Sequence, residues 1–134
     1  MEKASIITPK LIEKLVHTFY DQIRRDDLLG PVFAAEIDDW DHHLPKMIAF
    51  WSSITLKTRS YHGRPVPAHA KLTGLTAAHF DRWLEMFEKT ARDIFVDEQA
   101  ENFTRRAHQI ANSLKMAIDV ERNVLPGMKG ALSA

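Results

Sequence analysis

One stretch separates the long amphipathic segments of this chain, and it reads Tyr61-His62-Gly63-Arg64-Pro65-Val66-Pro67-Ala68-His69-Ala70-Lys71-Leu72. Gly63, Pro65 and Pro67 give its first half the composition of a loop, and Pro67 is pre-set for the φ of a helical turn. That turn presents a single imidazole, His69. A rigid loop that aims one histidine at the middle of a helical protein suits a metal centre, although an ordinary surface histidine is the commoner outcome. The flanking segments provide the evidence that distinguishes a metal-binding His69 from a surface histidine.

Composition indicates one globular domain with a core at about 8–120 and flexible tails at 1–7 and 123–134. The chain has 134 residues, of which 45% are hydrophobic and 27% are charged. Its 18 basic and 18 acidic residues balance, so no net field favours nucleic acid or an anionic membrane. The lack of cysteine excludes disulfides, thiolate metal sites and a cysteine nucleophile. With no apolar leader and no run of transmembrane length, we expect a cytoplasmic protein.

The first amphipathic segment has helix signals at both ends. Thr8 is a good capping residue, and Pro9 fits the first helical position. Apolar residues then recur at helical spacing, and the helix is expected to fade over residues 24–27 and to stop near Gly30-Pro31. We expect Val32-Phe33 to be buried in a turn or short helix.

Three more helices are predicted, which makes the domain all-α. The second begins around His42 to Pro45 and ends near Lys57 to Ser60. Thr76 caps the third, which runs from Ala77 to about Val96, and Asp97 caps the fourth. The simplest interpretation of four such helices is a plain bundle that works through packing or partner binding.

Three inward-facing rings carry a polar atom. They are Tyr20 in the first helix, His43 at the head of the second and Trp83 in the third. A buried O–H or N–H needs a partner, and in a plain bundle a nearby carbonyl would serve each one separately. Three such groups on three helices, with a loop histidine able to face them, favour an apolar pocket with a few converging polar atoms. Cofactor and small-ligand sites are built in this way.

Other metal and catalytic sites find little support in the sequence. His42-His43 are adjacent, so on a helix they point roughly 100° apart and cannot share an ion. The sequence contains no His-Glu-x-x-His, no phosphate loop rich in glycine and no nucleophile elbow.

An ordered set of short motifs across roughly residues 10–118 resembles the truncated haemoglobins, specifically group III. The motifs are Phe19-Tyr20, Gly30-Pro31-Val32-Phe33, Trp40-Asp41-His42-His43, Phe50-Trp51, Tyr61-x-Gly63-x-Pro65-x-x-x-His69 and Arg82-Trp83-Leu84-x-x-Phe87. Each piece is unspecific, but the order and spacing of the whole set are specific. The resemblance implies a truncated globin fold, in which a two-over-two helical sandwich encloses haem b.

The resemblance also assigns the site residues. His69 matches the proximal ligand of the iron, on the side of the loop. Tyr20, Trp83 and His43 match the distal tyrosine, tryptophan and histidine. Met47, one turn beyond His43, would also contact the ligand pocket.

Further haem contacts are implied for a set of apolar residues, Phe33, Phe50, Ile54, Leu72 and Phe87, in addition to Met47 and Trp83. Ala68 stands directly before His69, where a basic residue would suit a propionate, so Lys46, Arg64 and Lys71 become the candidate propionate partners. The rival imidazoles His42, His62 and His79 are expected at the surface, because none lies on an apolar stripe.

The function that the resemblance implies is reversible binding of O₂, and of NO and CO, at a five-coordinate iron. Tyr20 and Trp83 would donate hydrogen bonds to the partial negative charge of bound O₂, each contributing about 1–3 kcal/mol. His43 would gate ligand entry or become a sixth ligand in the oxidised state. The alternatives are a haem enzyme, either an NO dioxygenase or a peroxidase-like protein with an external reductase, and a structural bundle without haem. We expect a monomer with neither nucleic-acid nor membrane partners.

Overall fold

Five α-helices account for the regular structure of residues 2–59 and 74–123, the part of the chain that this computed structural model describes. In chain order they are α1 (Pro9–Arg25), α2 (Leu29–Glu36), α3 (Trp40–Thr55), α4 (Ala77–Ile94) and α5 (Asp97–Asn123). Only an isolated bridge between two residues has β geometry in these ranges. The prediction of an all-α domain is confirmed. No helix in the described ranges combines the length and apolarity needed to cross a membrane.

Helix α1 begins as predicted. The Thr8 side chain accepts a hydrogen bond from the Leu11 N–H at 3.2 Å, and Pro9 occupies the first turn. One face is buried and carries Ile12, Leu15, Val16, Phe19, Tyr20 and Ile23. Burial of this stripe, rather than helix propensity, is the main stabilising term for such a helix.

The predicted stop at Gly30-Pro31 is wrong, because these residues lie in the first turn of α2. Helix α1 ends at Arg25, and the Asp26 carboxylate then accepts hydrogen bonds from Leu28 N–H at 3.2 Å and Leu29 N–H at 2.9 Å. A proline needs no N–H partner in a first turn, so it starts a helix as readily as it ends one. A Cβ on Gly30 would lie 3.0 Å from the Arg24 carbonyl oxygen, so glycine permits this close corner.

Helix α3 begins at Trp40, earlier than predicted, since Asp39 caps it by accepting from the His42 N–H at 3.2 Å. Pro45 consequently lies inside the helix, beyond the first turn, where it removes one backbone hydrogen bond. The helix also ends early, at Thr55. Lys57 has a positive φ of 57°, and this left-handed geometry commonly ends a helix.

The helices pack around two apolar clusters. Helix α1 contacts α2, α3 and α4, α2 also contacts α4, and α4 runs along α5. The larger cluster includes the buried rings of Phe19, Phe87, Phe95 and Phe103. Trp51 joins α3 to this cluster, since its ring stacks on Phe87 with centroids 4.8 Å apart. A smaller cluster, Phe80, Ala111, Leu114 and Ile118, lies between α4 and α5.

Hydrogen bonds join residues of the N-terminal segment to the corner between α4 and α5. The Ala4 N–H donates to the Ile94 carbonyl at 2.9 Å, and the Val96 N–H donates to the Ala4 carbonyl at 2.9 Å. The Gln99 side chain also donates to the Ser5 carbonyl at 3.1 Å. These bonds hold the segment against the corner between α4 and α5.

Candidate functional site

A cavity of about 310 Å³ is lined by residues from all five helices. Apolar side chains form most of the described wall, including Phe33, Phe50, Phe80, Ile110 and Leu114. The wall also carries six polar or partly polar side chains: Tyr20, Glu36, His43, Lys46, His79 and Trp83. This combination of an apolar wall with a few converging polar groups is typical of a small-ligand or cofactor site.

Tyr20 reaches the cavity from the buried face of α1, where the residue is only 7% exposed. Its ring packs edge-on against Phe33 and His43, with centroids 5.9 and 5.5 Å apart. No residue in the described ranges hydrogen-bonds to its hydroxyl. Burial raises the pKa of Tyr20 well above its ordinary value, so the hydroxyl stays neutral and remains a donor.

Trp83 reaches the same cavity from α4. Its ring stacks on Phe87 at an interplanar angle of 4° and meets the edge of Phe19 with centroids 5.7 Å apart. Phe19 also contacts Tyr20 at 5.1 Å, so one buried ring holds both donors in place. Within residues 2–59 and 74–121, nothing accepts the indole N–H of Trp83. Two helices thus each bring a side chain with an available donor to the wall of one cavity.

Helix α3 supplies the third side of the site. His43 packs edge-on against Tyr20 and Trp40, the latter with centroids 5.6 Å apart. Met47 and Lys46, one turn further along, also line the cavity, and Lys46 is exposed at its edge. The structure therefore brings together seven residues that the sequence predicted at the site: Tyr20, Phe33, His43, Lys46, Met47, Phe50 and Trp83.

Two predicted lining residues lie elsewhere. Phe87 is 1% exposed and lies behind the wall, stacked between Trp51 and Trp83. Ile54 is half-buried near the end of α3, outside the described wall. Trp51, the neighbour of Phe50 on α3, also lines the cavity.

The loop residues assigned to the proximal side lie outside the described residues. They are His69, Leu72, Arg64 and Lys71, together with the rival histidine His62. Their roles remain predictions from the resemblance.

The expectation that His79 lies at the surface is wrong. The residue is half-buried in the first turn of α4 and lines the cavity. His79 lies one turn before Trp83, so the two side chains share one face of the helix. This spacing, which the apolar stripe does not show, could have predicted that His79 lines the cavity. His42, by contrast, is exposed as predicted.

An ion pair that the sequence did not predict fixes α4 relative to the corner between α1 and α2. Arg82 Nε and Nη2 lie 2.9 and 2.8 Å from one oxygen of Asp26, whose side chain is 6% exposed. The Arg82 hydrogen bond, followed by that from the Leu29 N–H, holds the pKa of Asp26 below its ordinary range. Arg82 directly precedes Trp83, so the pair restrains the part of α4 that carries the tryptophan. The sequence did not predict this pair because its two residues are 56 positions apart. An acidic residue at a helix end is also more commonly a capping or solvated group than an ion-pair partner.

The described wall fits a haem. Its aromatic and aliphatic side chains suit the faces of a porphyrin, and the exposed ammonium of Lys46 suits a carboxylate at the porphyrin edge. The available donors of Tyr20 and Trp83 suit a small ligand that accepts hydrogen bonds.

Comparison with known proteins identifies the family and the fold. Residues 6–119 match the family model described as bacterial-like globin. The group 3 truncated hemoglobin ctb of Campylobacter jejuni is 31% identical over 114 residues, which are 82% of this chain and 90% of that protein. The crystal structure of a group III truncated hemoglobin from Campylobacter jejuni matches with a TM-score of 0.80 and 30% identity, covering 87% of this chain and 95% of that one. The predicted truncated globin fold is confirmed, and the chain belongs to the bacterial-like globins, as a group III truncated haemoglobin.

Proposed function

We propose that this globin binds O₂ reversibly, together with NO and CO, at a five-coordinate haem b iron held by His69. Membership of the globin family implies haem. The single observation that carries the more specific proposal is the pair of donors, the Tyr20 hydroxyl and the Trp83 indole N–H. The two side chains line one cavity from α1 and α4, and neither donor has an acceptor among the described residues.

The chain's own residues would hold the cofactor in the following way. The His69 imidazole would ligate the iron from the proximal side. Phe33, Phe50 and Met47 would pack against the macrocycle, and Lys46 and Arg64 would pair with its carboxylates. The rigidity of the distal wall supports this arrangement, because Tyr20 is held by Phe19, Phe33 and His43 in edge-on contacts.

Haem, when bound, would supply a ferrous iron with an open position, where O₂ gains partial negative charge and CO gains little. Tyr20 and Trp83 would donate to that charge in a site from which most water is excluded. Hydrogen bonds to charged acceptors are stronger than those between neutral groups, and a low local dielectric strengthens them further. The two donors therefore favour retention of O₂ over CO.

His43 would control access to this site. Its ring contacts Tyr20 and Trp40, so any displacement of His43 also disturbs the ring that carries the distal hydroxyl. The contact between His43 and Tyr20 would thereby couple ligand entry to hydrogen bonding with the ligand.

Mixing the reduced, oxygenated protein with NO tests the proposed function against catalysis. Without reductant, either kind of protein consumes one NO for each oxygenated haem, leaves ferric haem and nitrate, and stops. With excess O₂ and reductant, a binding protein should turn over only as slowly as the reductant returns its ferric haem to the ferrous state. Sustained conversion of NO and O₂ to nitrate, at a rate that rises with an electron-donating reductase, would show an NO dioxygenase instead. Purification without a haem spectrum, and failure to take up added haem, would leave only a helical bundle and contradict the proposal.

A further inference from the structure

His79 is a polar side chain in the wall of the cavity to which the proposed function gives no role. It lies in the first turn of α4, half-buried, one turn before Trp83. Its Nδ1 atom lies 3.0 Å from the backbone nitrogen of Thr76 and 3.0 Å from the Thr76 hydroxyl oxygen. The first contact is the half of a capping box in which the third helical residue reaches back to the N-cap.

That capping bond decides where the imidazole carries its proton. A backbone N–H can only donate, so Nδ1 of His79 must present its lone pair to Thr76. A neutral imidazole has one lone pair on its two nitrogens, so the proton is on Nε2. A protonated Nε2 can donate a hydrogen bond but cannot ligate a metal. While the cap is intact, His79 is therefore a donor and not an iron ligand.

The other polar groups of the cavity indicate which acceptor this donor meets. Tyr20 and Trp83 provide donors, and Lys46 provides a cation. The one carboxylate in the described wall, that of Glu36, belongs to an exposed residue on α2. No described residue accepts from Nε2 of His79. Apart from His43, the polar groups at the inner part of the described wall are mostly donors, which suits an occupant that brings acceptors with it.

Haem brings two kinds of acceptor, the diatomic ligand at its centre and the two carboxylates at one edge. We propose that His79 Nε2–H donates to a carboxylate of the haem, which makes it a cofactor-binding residue that anchors the macrocycle edge. This inference rests on the proposed function. Half-burial places His79 between the dry core and solvent, where a carboxylate can keep its charge, whereas Tyr20 is buried deeper.

The test compares wild-type protein with His79→Asn. Asparagine places its Oδ1 where Nδ1 stood, so it can still accept from Thr76, but it has no donor at the position of Nε2. Each protein is reconstituted with protohaem and, separately, with protohaem dimethyl ester, whose carboxylates are blocked. Haem loss is then followed by transfer to an excess of an acceptor apoglobin.

We expect His79→Asn to lose protohaem roughly tenfold to hundredfold faster, the range for one hydrogen bond to a charged acceptor. The dimethyl ester should leave both proteins at the same rate. His79→Gln, which can place an amide donor near the position of Nε2, should recover part of the loss. Equal protohaem loss from wild type and His79→Asn would overturn the inference. Equal acceleration with both haems would also overturn it, because His79 would then act through packing or through the diatomic ligand.

Three further measurements separate the possible failures. Unfolding of the apoprotein should be nearly the same for His79→Asn and wild type, and a large loss would show a purely structural cap. The iron–histidine vibration should persist in His79→Asn, and its disappearance would identify His79 as the iron ligand. The exposed His42→Asn serves as a matched control and should leave haem loss unchanged. If the wild type itself takes up no haem, the proposed function fails together with this inference.

Discussion

Replacing Tyr20 by phenylalanine tests the distal site most cleanly, because it removes one hydroxyl and little else. The ring keeps its contacts with Phe19, Phe33, Trp40 and His43, whose centroids lie 5.1–5.9 Å away. In the described part of the chain the hydroxyl has no hydrogen-bond partner to lose. The stability of the apoprotein should therefore change by less than about 1 kcal/mol, since the substitution breaks no hydrogen bond between described residues and keeps the ring contacts.

The effect on the ligand should be much larger. Loss of one donor to a partly charged acceptor costs about 1–3 kcal/mol, which corresponds to roughly tenfold to hundredfold faster release of O₂. Release of CO should change far less, because CO has little charge on its outer atom. Trp83→Phe should act in the same direction. The double variant should fall short of the sum of the two effects, because both donors share one acceptor.

Stopped-flow dissociation of O₂ and of CO from the wild type and the three variants provides the measurement. Unchanged O₂ release in Tyr20→Phe would refute the distal assignment, and so would equal changes for O₂ and CO. A loss of apoprotein stability well above 1 kcal/mol would show that the hydroxyl is paired within the core instead.

Three further predictions concern stability. Removing haem should lower the melting temperature, because a ligand that binds only the native state stabilises it, and equal melting curves would argue for a self-sufficient bundle. Asp26→Ala should lower the free energy of unfolding by about 1–2 kcal/mol near neutral pH through the lost cap of α2 and the lost Arg82 contact. Because the folded pKa of Asp26 is depressed, its contribution is present above the ordinary pKa and fades as pH falls through the folded one, so urea unfolding of the two proteins should converge in acid. Gly30→Ala should cost about 1–3 kcal/mol, since its Cβ meets the Arg24 carbonyl oxygen at 3.0 Å. Gly74→Ala, with nothing within 4 Å of the new Cβ, is the matched control and should cost nothing.

The sequence predicted a helix start correctly where the residues that cap it lie close by in the chain. Thr8 and Pro9 begin α1, and Thr76 precedes α4, because caps act over three or four residues. Gly30-Pro31 was ambiguous for a physical reason: glycine and proline suit the end of one helix and the first turn of the next equally well. The tertiary contact of Gly30 with α1 decides between them.

The sequence predicted those site residues that lie on the apolar face of their own helix. Tyr20 and Trp83 occupy such stripes, and both line the cavity. Phe87 shares a stripe with Trp83 but points behind the wall, a difference smaller than helical periodicity can resolve. His79 was missed because a polar side chain at a helix start is ordinarily exposed. The Asp26–Arg82 pair was missed because it joins residues distant in sequence.

The most direct test of the central claim, that His69 holds a haem iron opposite Tyr20 and Trp83, is the resonance Raman spectrum of the reduced protein. We expect an iron–histidine vibration in the wild type that is lost in His69→Ala, even where the apolar wall keeps some haem bound. The same band should remain in His79→Asn. Retention of the band in His69→Ala, or its loss on substitution of His79 or His62, would contradict the account.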